Sequence, residues 1–153
     1  MDSETSVIVL QGGGALGAYQ AGAFEALCEA GQPVDWVAGI SIGAINSALI
    51  AGNAPERRTD ALRSFWEMVS SASAPVGMFE GVLSRGWLND MSAAGTTVSG
   101  VPGFFRLRMP PAAFMPPGSP GARSFYDTSP LRETLLDLVD FDRINTGPAR
   151  LCV

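Results

Sequence analysis

Residues Val37–Gly52 read VAGISIGAINSALIAG. An apolar run enters Gly39-Ile40-Ser41-Ile42-Gly43, and a run of small and aliphatic residues leaves it. The first half predicts a strand, starting within VDWVAGIS, and the second a helix over 42–51, closed by Gly52 and Asn53. Gly-x-Ser-x-Gly between a strand and a helix is the pattern of a nucleophile elbow. Such a turn bends the backbone sharply, and Gly39 and Gly43 would leave room for the neighbouring strand and helix. The Ser41 hydroxyl would then stand off the sheet edge above the positive end of the helix, with the Ile42 amide facing any developing oxyanion. The competing reading is a serine that merely caps the helix.

A second glycine cluster lies upstream. SVIVLQ (6–11) predicts a buried strand, and Ala15–Ala30 a helix stopped by Gly31 and Pro33. Leu16, Tyr19, Ala23 and Leu27 share one face of that helix. Between them, Gly12, Gly14 and Gly17 fit the dinucleotide fingerprint Gly-x-Gly-x-x-Gly. That fingerprint wants an acid about 20 residues on, at the end of the second strand. The near candidate, Asp35, stands at that strand's beginning. A Walker loop is excluded because no Gly-Lys-Ser/Thr occurs. The other use of consecutive glycines is an oxyanion hole, in which the bare amides of Gly12, Gly13 and Gly14 point outward at a helix start. Both bends would lie at the carboxyl ends of neighbouring strands, where open α/β sheets place their sites.

A serine nucleophile needs a base. The chain has no histidine, and its 10 basic residues are all arginine, which does not deprotonate. Ser41 therefore works in a dyad with Asp or Glu, or it is not catalytic. With that, LQGGGALGAYQAGAFEAL followed by VAGISIGAINSALIAG resembles the patatin-like phospholipases, lipid acyl hydrolases that use a serine–aspartate dyad. The resemblance is specific over residues 7–70. It implies a three-layer α/β/α sandwich with a central, mostly parallel sheet, Ser41 as the nucleophile, and Gly12, Gly13 and Gly14 in the oxyanion hole. Two departures stand out. Leu16 occupies a position where the family often carries Arg or Lys. The family's Asp-Gly motif does not occur in the chain, and nothing in the sequence around Asp60, Asp90 or Asp127 recommends any of them.

A third helix is predicted over PERRTDALRSFWEMVSS, with Asn53 as its cap and Pro55 in its first turn. Residues 72–126 are rich in Gly, Pro, Met and Phe and read as an irregular insertion, whose loops over 76–118 form either a lid or acyl-chain pocket or a satellite core. DTSPLRETLLDLVDF predicts a helix capped by Ser129, with Leu131, Leu135, Leu136 and Val139 on its core face. GPARLCV begins another strand, and the family's aspartate is expected soon after it. Residues 1–153 are therefore expected to be the N-terminal, truncated part of one hydrolase domain.

The net charge of -5 and pI near 4.6 argue against nucleic-acid binding and give no electrostatic pull toward anionic membranes, so lipid contact is expected to be apolar and transient. Cys28 and Cys152 make no disulfide framework, the acidic start is no secretory signal, and a cytoplasmic location is expected, peripheral at membranes where lipid is met. No metal or other cofactor is expected. The expected function is hydrolysis of lipid acyl esters. A non-catalytic binding module that keeps the elbow is the alternative, with dinucleotide binding behind it.

Overall fold

The computed structural model describes residues 5–71 and 100–153. Met78, Phe79, Trp87 and Asp90 lie outside the described residues. In chain order the elements are β1 (Val7–Leu10), α1 (Gly17–Glu29), β2 (Trp36–Gly39), α2 (Ile42–Ala51), α3 (Arg58–Ser70), β3 (Arg106–Leu107), β4 (Tyr126–Asp127), α4 (Ser129–Leu138), α5 (Phe141–Thr146) and β5 (Arg150–Cys152). They form two compact units, Met1–Trp66 with Leu135–Val153, and Glu67–Thr134.

The first unit is α/β. Its sheet has the order β1-β2-β5, and both pairings are parallel. Leu10 pairs with Gly39 and Ala38 with Cys152. Consecutive side chains of a strand point to opposite faces. One face carries the buried Leu10 and Val37, and the other leaves Val9 77% exposed. α2 packs on all three strands, which is why its aliphatic run reads as apolar nearly all round: Leu49 and Ile50 are fully enclosed. Phe24, Leu62 and Phe65 complete this core.

The face of α1 singled out by spacing faces outward. Leu16, just before the helix, is 62% exposed and Tyr19 80% exposed, whereas Gly17 and Phe24 are buried. Gly17, Ala21, Phe24 and Cys28 follow the same helical spacing one stripe away. The stripe of smaller residues wins because it allows close approach: a methyl group on Gly17 would sit 2.6 Å from both Ile42 and Trp66.

Asn53 caps nothing. Ala54 precedes a short 3₁₀ turn, Pro55–Arg57, that leads into α3. The Asn53 amide instead donates to the carbonyls of Leu49 (2.9 Å) and Leu138 (2.8 Å), tying the end of α2 to the end of α4. Arg58 is buried with its Nε directed at the Asn53 carbonyl, and burial holds its guanidinium below the ordinary arginine range.

In the second unit β3 and β4 form an antiparallel pair, Arg106 opposite Asp127 and Leu107 opposite Tyr126. Ser129 is the first residue of α4 rather than its cap. Its amide and hydroxyl both donate to the Asp127 carboxylate, at 3.0 and 2.9 Å. These bonds, joined by Arg106, hold Asp127 below the usual carboxylate range. On α4, Leu131 and Leu135 are half-buried, but Leu136 is 51% exposed, so the core face is narrower than its spacing implied.

Candidate active site

Ser41 is the one non-glycine residue with positive φ among the described residues, at φ 56° and ψ -122°. An L-residue there carries backbone strain that the surroundings must hold. Four hydrogen bonds hold it: Ile40 N–H to Leu10 C=O (3.1 Å), Gly43 N–H to Ile40 C=O (2.9 Å), and Ala44 N–H (2.9 Å) and Ile45 N–H (3.3 Å) to Ser41 C=O. Packing holds it as well. A methyl group on Gly39 would collide with the Gly43 carbonyl, and one on Gly43 with the Leu10 carbonyl.

The Ser41 side chain is exposed and makes no cap hydrogen bond to α2. A capping serine takes an extended backbone so that its oxygen can fold back onto the first-turn amides. The positive φ of Ser41 is incompatible with that arrangement, so the capping reading fails and the hydroxyl is left outside the helix.

The glycine bend lies beside this corner. Because β1 and β2 are parallel and Leu10 is level with Gly39, the two chains leave the sheet side by side. Gly13 and Gly14 have φ of 142° and 55°. A methyl group placed on Gly12 would be 3.5 Å from the Ser41 Cβ and 3.6 Å from the Ile40 carbonyl oxygen. Among the described residues, no hydrogen bond from the amides of Gly12, Gly13 or Ile42 to another backbone group is found. Such amides at a helix start carry partial positive charge and suit an anion.

Asn46, Gln20 and Trp66 also belong to this neighbourhood, and the sequence reading did not place them there. Asn46 is 1% exposed, with its amide donating to the Gly17 carbonyl and its oxygen accepting from the Trp66 indole. A single amide inside the apolar run AINSALIA was the available signal, since a buried polar side chain requires partners.

The remaining carboxylates sort as follows. Asp35 accepts from the Ser6 amide at 2.9 Å, at the start of β2 and so at the opposite end of the sheet from the glycine bend. That is the wrong end for a ribose-binding acid. Asp60 lies on α3 and lines a cavity of about 330 Å³ with Asn53, Arg57 and Asp140, a cavity that neither Ser41 nor the glycine bend lines. Asp127 is committed to Ser129 and Arg106 in the second unit. The exposed Leu16 brings no charge to the bend; its side chain packs over Gly13.

Comparison with known proteins is consistent with this local geometry. Lysophospholipase nte1 of Aspergillus terreus is 55% identical over 47 residues, covering 31% of this chain and 3% of that protein. The human patatin-like phospholipase domain-containing protein 6 is 40% identical over 77 residues, or 50% of this chain and 6% of that protein. Neuropathy target esterase sws of Drosophila melanogaster is 57% identical over 42 residues, or 28% and 3%. The matches thus span only a few per cent of these relatives' lengths. No solved structure matches the chain. The family model for patatin-like phospholipases matches residues 8–151, nearly the whole length. The chain belongs to the patatin-like phospholipase family.

Proposed function

We propose that Ser41 is the nucleophile of a lipid acyl ester hydrolase, served by the amides of Gly12, Gly13, Gly14 and Ile42 as an oxyanion hole. The observation that carries this reading is the proximity of the strained Ser41 corner to Gly12, where an added methyl group would stand 3.5 Å from the Ser41 Cβ. In the reaction, the Ser41 Oγ gives its proton to a carboxylate base and bonds to the ester carbonyl carbon. The carbonyl oxygen becomes an oxyanion facing the glycine amides. The ester C–O bond breaks, and the alcohol leaves with the proton. Water then attacks the acyl-enzyme as the same carboxylate takes its proton; the bond between the acyl carbon and Ser41 Oγ breaks, the fatty acid leaves, and the proton returns to Oγ. Each preorganised donor of this kind is worth about 3 kcal/mol of barrier in other hydrolases.

The base is an aspartate C-terminal to Val153. The support is topological: β5 runs parallel to β2 with Cys152 level with Ala38, so a chain continuing from β5 emerges at the sheet edge where Ser41 stands. Residues 1–153 are then the N-terminal part of the hydrolase domain, and 72–126 an insertion in it. The names of the relatives, a lysophospholipase and an esterase among them, favour a lysophospholipid or related acyl ester as substrate.

Contact with a lipid surface belongs to the same reading. Met109, Phe114 and Phe125 are 81%, 80% and 74% exposed. Exposed apolar side chains of this kind suit the apolar contact with lipid expected from the sequence. No helix of the described residues is long and apolar enough to cross a membrane, and we place the protein in the cytoplasm, meeting membranes peripherally.

The test is fatty-acid release from lysophosphatidylcholine by the full-length protein. Turnover is expected, falling at least about a thousandfold in Ser41→Ala. Turnover that survives Ser41→Ala overturns the nucleophile assignment. No turnover on any acyl ester favours a non-catalytic module that retains the elbow.

A further inference from the structure

The glycine bend has no side chains with which to pack itself in place. Gly13 and Gly14 sit at positive φ, and glycine backbones have the most freedom to lose on ordering. Something outside the bend has to hold it, and the structure supplies a chain of side-chain amides. The Gln20 Nε2 donates to the Gln11 carbonyl at 2.8 Å, one residue before the bend. The Asn46 Nδ2 donates to the Gly17 carbonyl at 2.9 Å, three residues after the bend, and to the Gln20 Oε1 at 3.2 Å. Asn46 is a residue of α2, the helix that Ser41 opens. Both ends of the bend are therefore tied to the element that carries Ser41.

The orientation of the Asn46 amide is dictated by its third partner. The Trp66 indole can only donate, and it does so to Asn46 Oδ1 at 3.0 Å. This turns the Nδ2 toward Gly17 and Gln20. Trp66 also packs where a side chain on Gly17 would be, so α3 supports the join by contact as well as by hydrogen bond. Asn46 is almost wholly buried, and a buried amide is tolerated only when such partners are present.

The geometry points to Asn46 and Gln20 as positioning residues: a side-chain clamp that holds the Gly12–Gly14 amides in register with Ser41, with Trp66 setting the clamp's orientation. This rests on the reading of the bend as an oxyanion hole, whose donors act only when fixed before the charge forms. The clamp touches no substrate. It acts on kcat through the amides it holds.

Gln20→Met in the full-length protein tests the clamp, since it keeps the side-chain length and removes both hydrogen bonds at a half-exposed position that folding tolerates. Trp66→Phe, which keeps a ring and loses the donor, is the second variant. We expect kcat on p-nitrophenyl butyrate to fall about tenfold in Gln20→Met, with KM within about twofold and thermal stability nearly unchanged. Amide exchange over 12–17 should quicken roughly fivefold, the worth of one neutral hydrogen bond, while exchange over 42–51 stays as it was. Trp66→Phe should move both readouts in the same direction. An unchanged kcat overturns the positioning role, and so does a lower kcat with unaltered exchange over 12–17. If the wild-type protein turns over no ester, the hydrolase reading has failed and exchange alone decides: faster exchange confined to 12–17 supports the clamp, and unaltered exchange overturns it.

Discussion

At Ser41, the proposed reactivity and the stability of the fold pull in opposite directions. Its φ of 56° is a conformation that glycine adopts freely and serine does not. Strain of this kind costs on the order of 1–3 kcal/mol. A protein that keeps serine there gives up that stability for a hydroxyl held clear of the helix. Ser41→Gly should therefore stabilise the fold by about 1 kcal/mol, raising the melting temperature by roughly 3 °C, while removing any serine chemistry. A calorimetric melt checks this; a Ser41→Gly protein less stable than wild type would mean the corner is not strained. The flanking glycines follow the same logic. Their pattern, Gly39-x-Ser41-x-Gly43, was legible in the sequence because steric necessity leaves a fixed spacing: neither position has room for a Cβ.

At the scale of elements, strand and helix assignments read well where one physical signal dominated. The β-branched run before the first glycines is β1, the apolar run before the Ser41 corner is β2, the small aliphatic run after it is α2, and Leu151 and Cys152 lie in β5. Helix faces were less legible. Two stripes of α1 have the same spacing, and hydrophobic size favoured Leu16, Tyr19 and Leu27, whereas packing chose Gly17 and Phe24. Periodicity reports that a face exists, but close approach of backbones decides which one is buried, and it favours small residues. Phe24→Ala should cost about 3–5 kcal/mol, whereas Tyr19→Ala should stay within about 0.5 kcal/mol of wild type. Denaturant unfolding of the two variants checks this, and comparable losses from both would put Tyr19 in the core. The caps were misread for a related reason. Asn53 and Ser129 have the right residue types at the right positions, but each found a stronger tertiary or local partner, the Leu138 carbonyl for one and Asp127 for the other.

For the whole molecule, parallel pairing is what brings two distant motifs together. Gly12 and Ser41 are 29 residues apart in sequence, yet β1 and β2 run level and release their chains at one sheet edge. The fold class and the pairing of the two glycine motifs were legible because both depend on short-range signals placed at strand ends. The Asn46–Gln20–Trp66 connection was not, because it depends on which helices meet, and that is a long-range outcome. The account stands on the Ser41 oxygen being a nucleophile beside free amides. Mass spectrometry of the full-length protein after exposure to an alkyl fluorophosphonate tests this most directly. The expected result is one phosphonate adduct, on the peptide containing Ser41, absent from Ser41→Ala; an adduct confined to another serine, or none at all, would contradict it.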